Sequence, residues 1–98
     1  MPKGYLVATL EVSDEAAYEP YRLHVPTLIE RHGGRYLVRG GSFDAIEGSA
    51  DFSRLVVVEF PSPGAARAFY NDPDYQRIIR HRTDNAAGTL VIADGISD

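Results

Sequence analysis

The 98-residue sequence contains no cysteine, no tryptophan and a single methionine. The lack of cysteine excludes disulfide bonds, thiolate catalysis and thiolate metal sites. No apolar run approaches the roughly 18 residues that cross a bilayer, and the N-terminus lacks the apolar core of a signal peptide. We therefore expect a cytoplasmic protein that does not enter a membrane.

An excess of positive charge is also missing. The 10 Lys and Arg residues are outnumbered by 14 Asp and Glu, for a net charge of −4, and the basic residues are dispersed along the chain. Binding to a phosphate backbone depends on clustered Lys and Arg, so we expect no nucleic-acid partner. The length suits one domain over residues 1–98. Because a domain this small buries a limited share of its surface, we also expect a homodimer.

Alternation of apolar and polar residues predicts four strands. The central one, residues 54–61, is mostly apolar, carries one carboxylate and ends at a proline. The others are predicted at residues 5–12, 35–39 and 89–94. A pair of glycines at 40 and 41 predicts a bend, after which the second strand is expected to continue through 43–47. Residues 85–88 are predicted to form a loop.

Capping residues and spacing predict the helices. A cap at Ser13 or Asp14, followed by an apolar stripe with three-and-four spacing, predicts a helix to about residue 32. Ser-Pro at 62–63 and Asp-Pro at 72–73 each place a cap before a proline and predict two further helical pieces. The order of elements is therefore βαββαβ. This order predicts an α+β, ferredoxin-like monomer with a four-stranded antiparallel sheet.

Helices in this arrangement cover only one face of the sheet. The other face remains apolar, and a large uncovered apolar patch is uncommon on a monomer. We expect a second copy to cover it, sheet against sheet. The apolar residues assigned to this face are Val7, Leu37, Leu55, Val57, Val91 and Ala93.

Several strings of the sequence resemble domain-of-unknown-function family 1330, a family of small bacterial proteins. They are KGY at 3–5, YxxY at 18–21, GGRYLVRGG at 33–41, RLVVVEFPS at 54–62 and AFYNDPDY at 68–75. The resemblance implies a ferredoxin-like monomer that pairs into a dimeric α/β barrel. That broad class also holds cofactor-free monooxygenases, lactone isomerases and haem-binding decomposing enzymes. The motifs carry over no catalytic residue from these enzymes.

The central strand contains an ionisable residue, Glu59. A carboxylate in a buried strand needs a cation or several hydrogen-bond donors. Arg39 is the preferred partner, with Arg35, Arg54 and Arg82 as alternatives. The pair either fixes the strand register, or Arg39 orients an anionic or carbonyl ligand while Glu59 holds the arginine or moves a proton.

Tyrosine is abundant for so small a domain. The rings either complete the core or, together with Arg82, line a cavity between the helices and the sheet that suits a small, partly apolar ligand. Tyr21 and Tyr75 are the preferred ligand-binding candidates. The tyrosines considered are Tyr18, Tyr21, Tyr36, Tyr70 and Tyr75.

The histidines do not predict a metal site. His24 and His32 lie about two helical turns apart, roughly 12 Å of rise, so they cannot share one ion without other ligands. We expect neither a metal nor a cofactor, and the paired glycines lack the spacing of a nucleotide-binding loop. His24 is retained as a weaker candidate for a general base.

Two functional hypotheses follow. In the first, the protein is an enzyme without a tightly bound cofactor that acts on a small oxygenated or aromatic metabolite. In that case Arg39 anchors or polarises the substrate, and Glu59 or His24 handles protons. In the second, it is a non-catalytic dimeric module that binds a small ligand or has a structural or stress-related role.

Overall fold

Four antiparallel strands and three helices make up the fold in the computed structural model, which describes residues 2–97. The strands lie side by side in the order β2-β3-β1-β4, and the elements follow the predicted βαββαβ order, with the second helix in two pieces. The ferredoxin-like prediction is confirmed for the monomer. The elements are β1 (Gly4–Val12), α1 (Glu15–Arg31), β2 (Arg35–Arg39), β3 (Arg54–Phe60), α2 (Pro63–Asn71), α3 (Pro73–Thr83) and β4 (Ala86–Asp94).

The two faces of the sheet differ in what covers them. The helix face, which the helices cover, carries the buried side chains of Leu6, Ala8 and Leu10 from β1 and Val58 and Phe60 from β3. The open face carries the alternate residues of these strands, as the pairing register requires. Even-numbered residues of β3 therefore point into the core, and odd-numbered residues point away from it.

Side-chain caps begin the helices where the sequence predicts them. The Asp14 carboxylate accepts from Ala17 N–H at 3.1 Å, and the Ser62 hydroxyl accepts from Ala65 N–H at 3.0 Å. Each cap satisfies one of the backbone donors that the first turn of a helix leaves free. Helix α1 ends at Arg31, and Gly33, two residues later, has a φ of 78° in the left-handed region that favours glycine.

Two predicted segments differ from the structure. Residues 40–53 form an irregular loop between β2 and β3, so the predicted strand at 43–47 is wrong. The predicted loop at 85–88 is also largely wrong, because β4 already begins at Ala86 and pairs with the end of β1. Gly88 makes this pairing possible, since a β-carbon there would lie only 1.8 Å from the Thr9 carbonyl oxygen.

A β-bulge interrupts strand β2. Tyr36 pairs with Val58, but the next regular pair is Val38 with Val57, so the register shifts between them. An extra residue on one strand moves the following side chains to the opposite face of the sheet. Simple alternation would place Arg39 on the face opposite to Tyr36. Because of the bulge, Arg39 pairs with Val56 and lies on the helix face with Tyr36.

Within residues 2–97, no helix is both long and apolar enough to cross a membrane.

Candidate functional site

A cavity of about 160 Å³ lies between helix α1 and the helix face of the sheet. Its floor is apolar, and its walls combine tyrosine rings with arginine side chains. No Asp, Glu or His among residues 2–97 contributes to the lining. The lining consists of Leu6, Ala8, Leu10, Val56, Val58 and Leu90 from the sheet, Tyr18, Tyr21, Arg22, Val25 and Ile29 from α1, Tyr36, Arg39, Gly40 and Arg54 from β2, β3 and their connection, and Phe69 and Arg82 from α2 and α3.

Two arginines and two tyrosines of the cavity form a continuous row of contacts. The Arg54 guanidinium lies 4.9 Å from the centre of the Tyr18 ring, and that of Arg82 lies 5.7 Å from the centre of the Tyr21 ring. The two rings are themselves 5.5 Å apart. Each guanidinium is thus within the range of a cation–π contact, which keeps a positive charge beside the apolar floor.

A hydrogen bond between two phenols closes the deep end of the cavity. The hydroxyls of Tyr21 and Tyr75 are 2.8 Å apart, and Arg82 is their charged neighbour. Burial raises the pKa of Tyr21 well above its ordinary value, and the neighbouring Tyr75 adds to the shift. Burial also raises the pKa of Tyr75, although the positive charge of Arg82 opposes this. Both phenols therefore keep their protons near neutral pH and can serve as donors.

Arg39 lies on the wall of this cavity because of the bulge in β2. Its guanidinium sits over the Tyr36 ring, 4.7 Å from the ring centre, while the residue as a whole remains exposed. Gly40, the next residue, has a φ of 68° and also lines the cavity. The structure thus places Arg39 where it can meet a ligand that enters from solvent.

The preferred pairing of Glu59 with Arg39 is wrong. Glu59 lies on the open face, where Arg35 donates to its carboxylate at 3.0 Å and the Tyr5 hydroxyl donates at 3.2 Å. The hydrogen bond from Arg35, one of the alternative partners, is the main cause that lowers the pKa of Glu59. Arg39 and Glu59 are therefore on opposite faces of the sheet and cannot act together within one monomer.

His24 is exposed on α1 and does not line the cavity. It borders a separate, shallow hollow between α1 and α3, together with Asp74 and Arg77. In the part of the chain that the structure describes, no group of three or more His, Asp or Glu side chains could hold a metal ion. Of the six candidate site residues, the structure brings together Arg39, Tyr21 and Arg82 in the lining, with Tyr75 directly behind Tyr21.

Arg54, expected from the sequence only as an alternative partner of Glu59, also lines the cavity. The signal was present, because Arg54 alternates in phase with Val56 and Val58 at the start of β3. What the sequence left open was which phase of β3 faces the helices. Arg54 Nη2 reaches the Glu15 carboxylate at the edge of the cavity at 3.3 Å.

Comparison with known proteins gives one family match. The family model described as "Domain of unknown function (DUF1330)" matches residues 3–96. No curated protein matches the chain.

Solved structures share the fold at low sequence identity. A protein of unknown function from Rhodopseudomonas palustris is 19% identical with a TM-score of 0.78, and the match covers 99% of this chain and 85% of that one. SnoaB, a cofactor-independent oxygenase from Streptomyces nogalater, is 11% identical with a TM-score of 0.63, over 100% of this chain and 97% of its own. A dabb family protein with a ferredoxin-like fold from Mesorhizobium loti is 13% identical with a TM-score of 0.64, over 99% and 98%. These similarities establish the fold alone.

Proposed function

Because this chain belongs to the family described as Domain of unknown function (DUF1330), whose description leaves the reaction open, we propose a function from the cavity itself: a cofactor-independent enzyme that acts on a small oxygenated or aromatic metabolite. The observation that carries this proposal is a partly open, mainly apolar cavity of about 160 Å³ with arginine and tyrosine donors on its walls. An apolar cavity of about 150 Å³ accommodates benzene, so this one is suited to a single ring.

The lining also limits the chemistry that the chain can perform. Arg39, Arg54 and Arg82 provide positive charge where a carbonyl or phenolic oxygen of the substrate would acquire negative charge, and Tyr21 provides a proton donor. No carboxylate or imidazole of residues 2–97 lines the cavity to act as a base. Catalysis would therefore rest on stabilising an oxyanion of the substrate, with Glu59 and His24 taking no direct part within the monomer.

Because neither Glu59 nor His24 lines the cavity, a non-catalytic function is the alternative. A cavity with donors but no base is also suited to a non-catalytic module that only binds a small ligand. The two functions differ in whether a bound compound is converted.

The test uses a panel of one-ring phenols, quinols and cyclic ketones. Each compound is incubated aerobically with the protein, with no metal or cofactor added, and both binding and conversion are followed by NMR. We expect at least one compound to bind and be converted, and Arg39→Ala to lower the rate about tenfold or more, because an oxyanion loses one stabilising charge.

The matched control is Arg35→Ala, which removes the same charge from the same strand but on the open face. Its rate, and that of Glu59→Gln, should stay within about twofold of the parent protein, since neither side chain lines the cavity. Binding without conversion of any compound would favour the non-catalytic alternative. A complete absence of binding across the panel would contradict both functions.

We also propose that a second copy covers the open face, which makes the protein a homodimer. Val7 pairs with Val57 on one side and with Val91 on the other, so the three valines form a row across the middle of that face. Val91 exposes 51% of its surface in the monomer. An apolar row of this kind is best stabilised by a symmetric copy of itself.

A further inference from the structure

Two charged side chains in the cavity keep N–H groups that have no acceptor. Arg82 Nε and Arg54 Nη1 are inaccessible to solvent and make no hydrogen bond to any atom of residues 2–97. A buried donor of a charged group is costly to leave unsatisfied. Both residues line the same cavity, so an acceptor that enters it comes next to two guanidinium groups whose hydrogen bonds are incomplete.

The two arginines differ in how far their charge is already compensated. Arg54 reaches the Glu15 carboxylate at 3.3 Å, and its side chain remains partly exposed. Arg82 exposes only 9% of its surface and has no carboxylate within 4.0 Å among the residues from 2 to 97. Its neighbours are the ring of Tyr21 and the hydroxyls of Tyr21 and Tyr75. Phenols that keep their protons do not neutralise a guanidinium, so the charge of Arg82 has no counter-ion among residues 2–97.

We infer that the ligand of this cavity is a one-ring carboxylic acid with a second oxygen substituent, whose carboxylate pairs with Arg82 and whose second oxygen accepts from Arg54. The inference rests on the proposed function and narrows its substrate class. The carboxylate belongs at Arg82 because that charge is buried and uncompensated. A neutral hydroxyl or carbonyl oxygen suffices at Arg54, which already shares the charge of Glu15. The ring occupies the apolar space between them.

The row of contacts formed by the two arginines and two tyrosines supports this orientation of the ligand. Arg54 and Arg82 lie at opposite ends of the pair formed by Tyr18 and Tyr21, whose ring centres are 5.5 Å apart. Donors at two ends of an apolar space are suited to a molecule with oxygen at both ends. Arg39, near the exposed edge, attracts an anion toward the opening and remains available to stabilise an oxyanion of the bound substrate.

The test compares three probes by isothermal titration calorimetry at constant ionic strength: 4-hydroxybenzoate, the isosteric neutral 4-hydroxybenzamide, and benzoate, which lacks the second oxygen. We expect 4-hydroxybenzoate to bind about tenfold more tightly than the amide, because only the acid neutralises Arg82. Benzoate should bind with an affinity between the two.

Variants then assign the two ends. Arg82→Gln should weaken binding of 4-hydroxybenzoate by about tenfold or more and change binding of the amide by less than about threefold. Arg54→Gln should weaken binding of both hydroxylated probes and leave benzoate nearly unchanged. The control is Arg80→Gln, which removes the same charge from the same helix at an exposed position that faces Asp84 and should have an effect below about twofold.

Three results would overturn the inference. They are equal affinity for the acid and the amide, equal losses in Arg80→Gln and Arg82→Gln, and an acid-to-amide ratio that Arg82→Gln leaves unchanged. If circular dichroism shows that Arg82→Gln does not fold, Arg82→Met, which keeps the apolar bulk, replaces it with the same expectations. Arg54→Gln tests the other end of the ligand independently of Arg82. Equal binding of the acid and the amide contradicts only the inference that the ligand is a carboxylate. No binding of any probe contradicts the proposed function as well.

Discussion

Asp72 joins three structural elements through a single carboxylate. It accepts from the backbone N–H of Asp74 at 2.9 Å and thereby caps α3. It also contacts His32 at 2.8 Å and Arg31 at 3.1 Å, both at the end of α1. Chiefly through the hydrogen bond with His32, these contacts lower the pKa of Asp72 from 3.8 to about 2. One residue thus holds the end of α1 to the junction of α2 and α3.

The lowered pKa of Asp72 predicts a loss of stability in acid. Because the folded-state pKa is below the unfolded value, the stabilisation is complete above about pH 4 and is lost as the pH falls toward 2. Urea titrations between pH 2 and 6 should show that Asp72→Asn lowers the free energy of unfolding near neutral pH and that the gap to the parent protein closes as the pH falls. Asp44→Asn, in the exposed loop, is the control. A gap between Asp72→Asn and the parent protein that does not change with pH would contradict this role.

The candidate residues show what the sequence determines at this scale. Tyr21, Tyr75 and Arg82 could be grouped beforehand because helical spacing directs them toward the sheet. The partner of Glu59 could not be chosen correctly, because simple alternation along β2 takes no account of the bulge. A bulge depends on how two strands pair, and the sequence of one strand does not reveal it.

The ends of the elements followed local chemistry where a cap or a proline defined them. Both proline-led helices, α2 and α3, begin as predicted, because the cap and the proline each act within one turn. The start of β4 could not be predicted in the same way. It depends on the pairing of Ala86 with Val12, residues that lie far apart in the chain.

A single added methyl group at Gly88 would disturb the pairing of strand β4 with β1. In Gly88→Ala the new β-carbon would lie 1.8 Å from the Thr9 carbonyl oxygen, and the φ of 143° is one that side chains rarely adopt. We expect a loss on the order of 2–5 kcal/mol of folding free energy, measured by chemical denaturation. Gly41→Ala is the matched control, because nothing lies within 4 Å of its added carbon. Its effect should stay within about 0.5 kcal/mol, and similar losses in the two variants would show that the close approach at Gly88 is unimportant.

At the scale of the whole molecule, the fold places two surfaces back to back. The cavity lies on the helix face and the row of valines on the open face, so one sheet separates them. The order of elements made this layout predictable, since the helices of a ferredoxin-like fold cover one face only. The bulge in β2 places Arg39 on the helix face, whereas Glu59 lies on the open face.

The proposed homodimer predicts twice the monomer mass in solution. Light scattering at micromolar concentration should give about twice the monomer mass of 10.8 kDa. Val57→Lys, which places a charge in the middle of the open face, should return the monomer mass and leave binding of 4-hydroxybenzoate intact. Leu23→Lys, at an exposed apolar position on α1, should remain dimeric. A mass of 10.8 kDa for the parent protein would contradict the proposed homodimer.

The tyrosines of the cavity give the protein an optical property of its own. Because the sequence contains no tryptophan, ultraviolet emission comes almost entirely from its 6 tyrosines. Tyr18, Tyr21 and Tyr36 line the cavity, so a ring that enters it comes into contact with half of the emitting groups. Occupancy can therefore be followed by intrinsic fluorescence without a label, and the signal originates where the ligand is expected to bind.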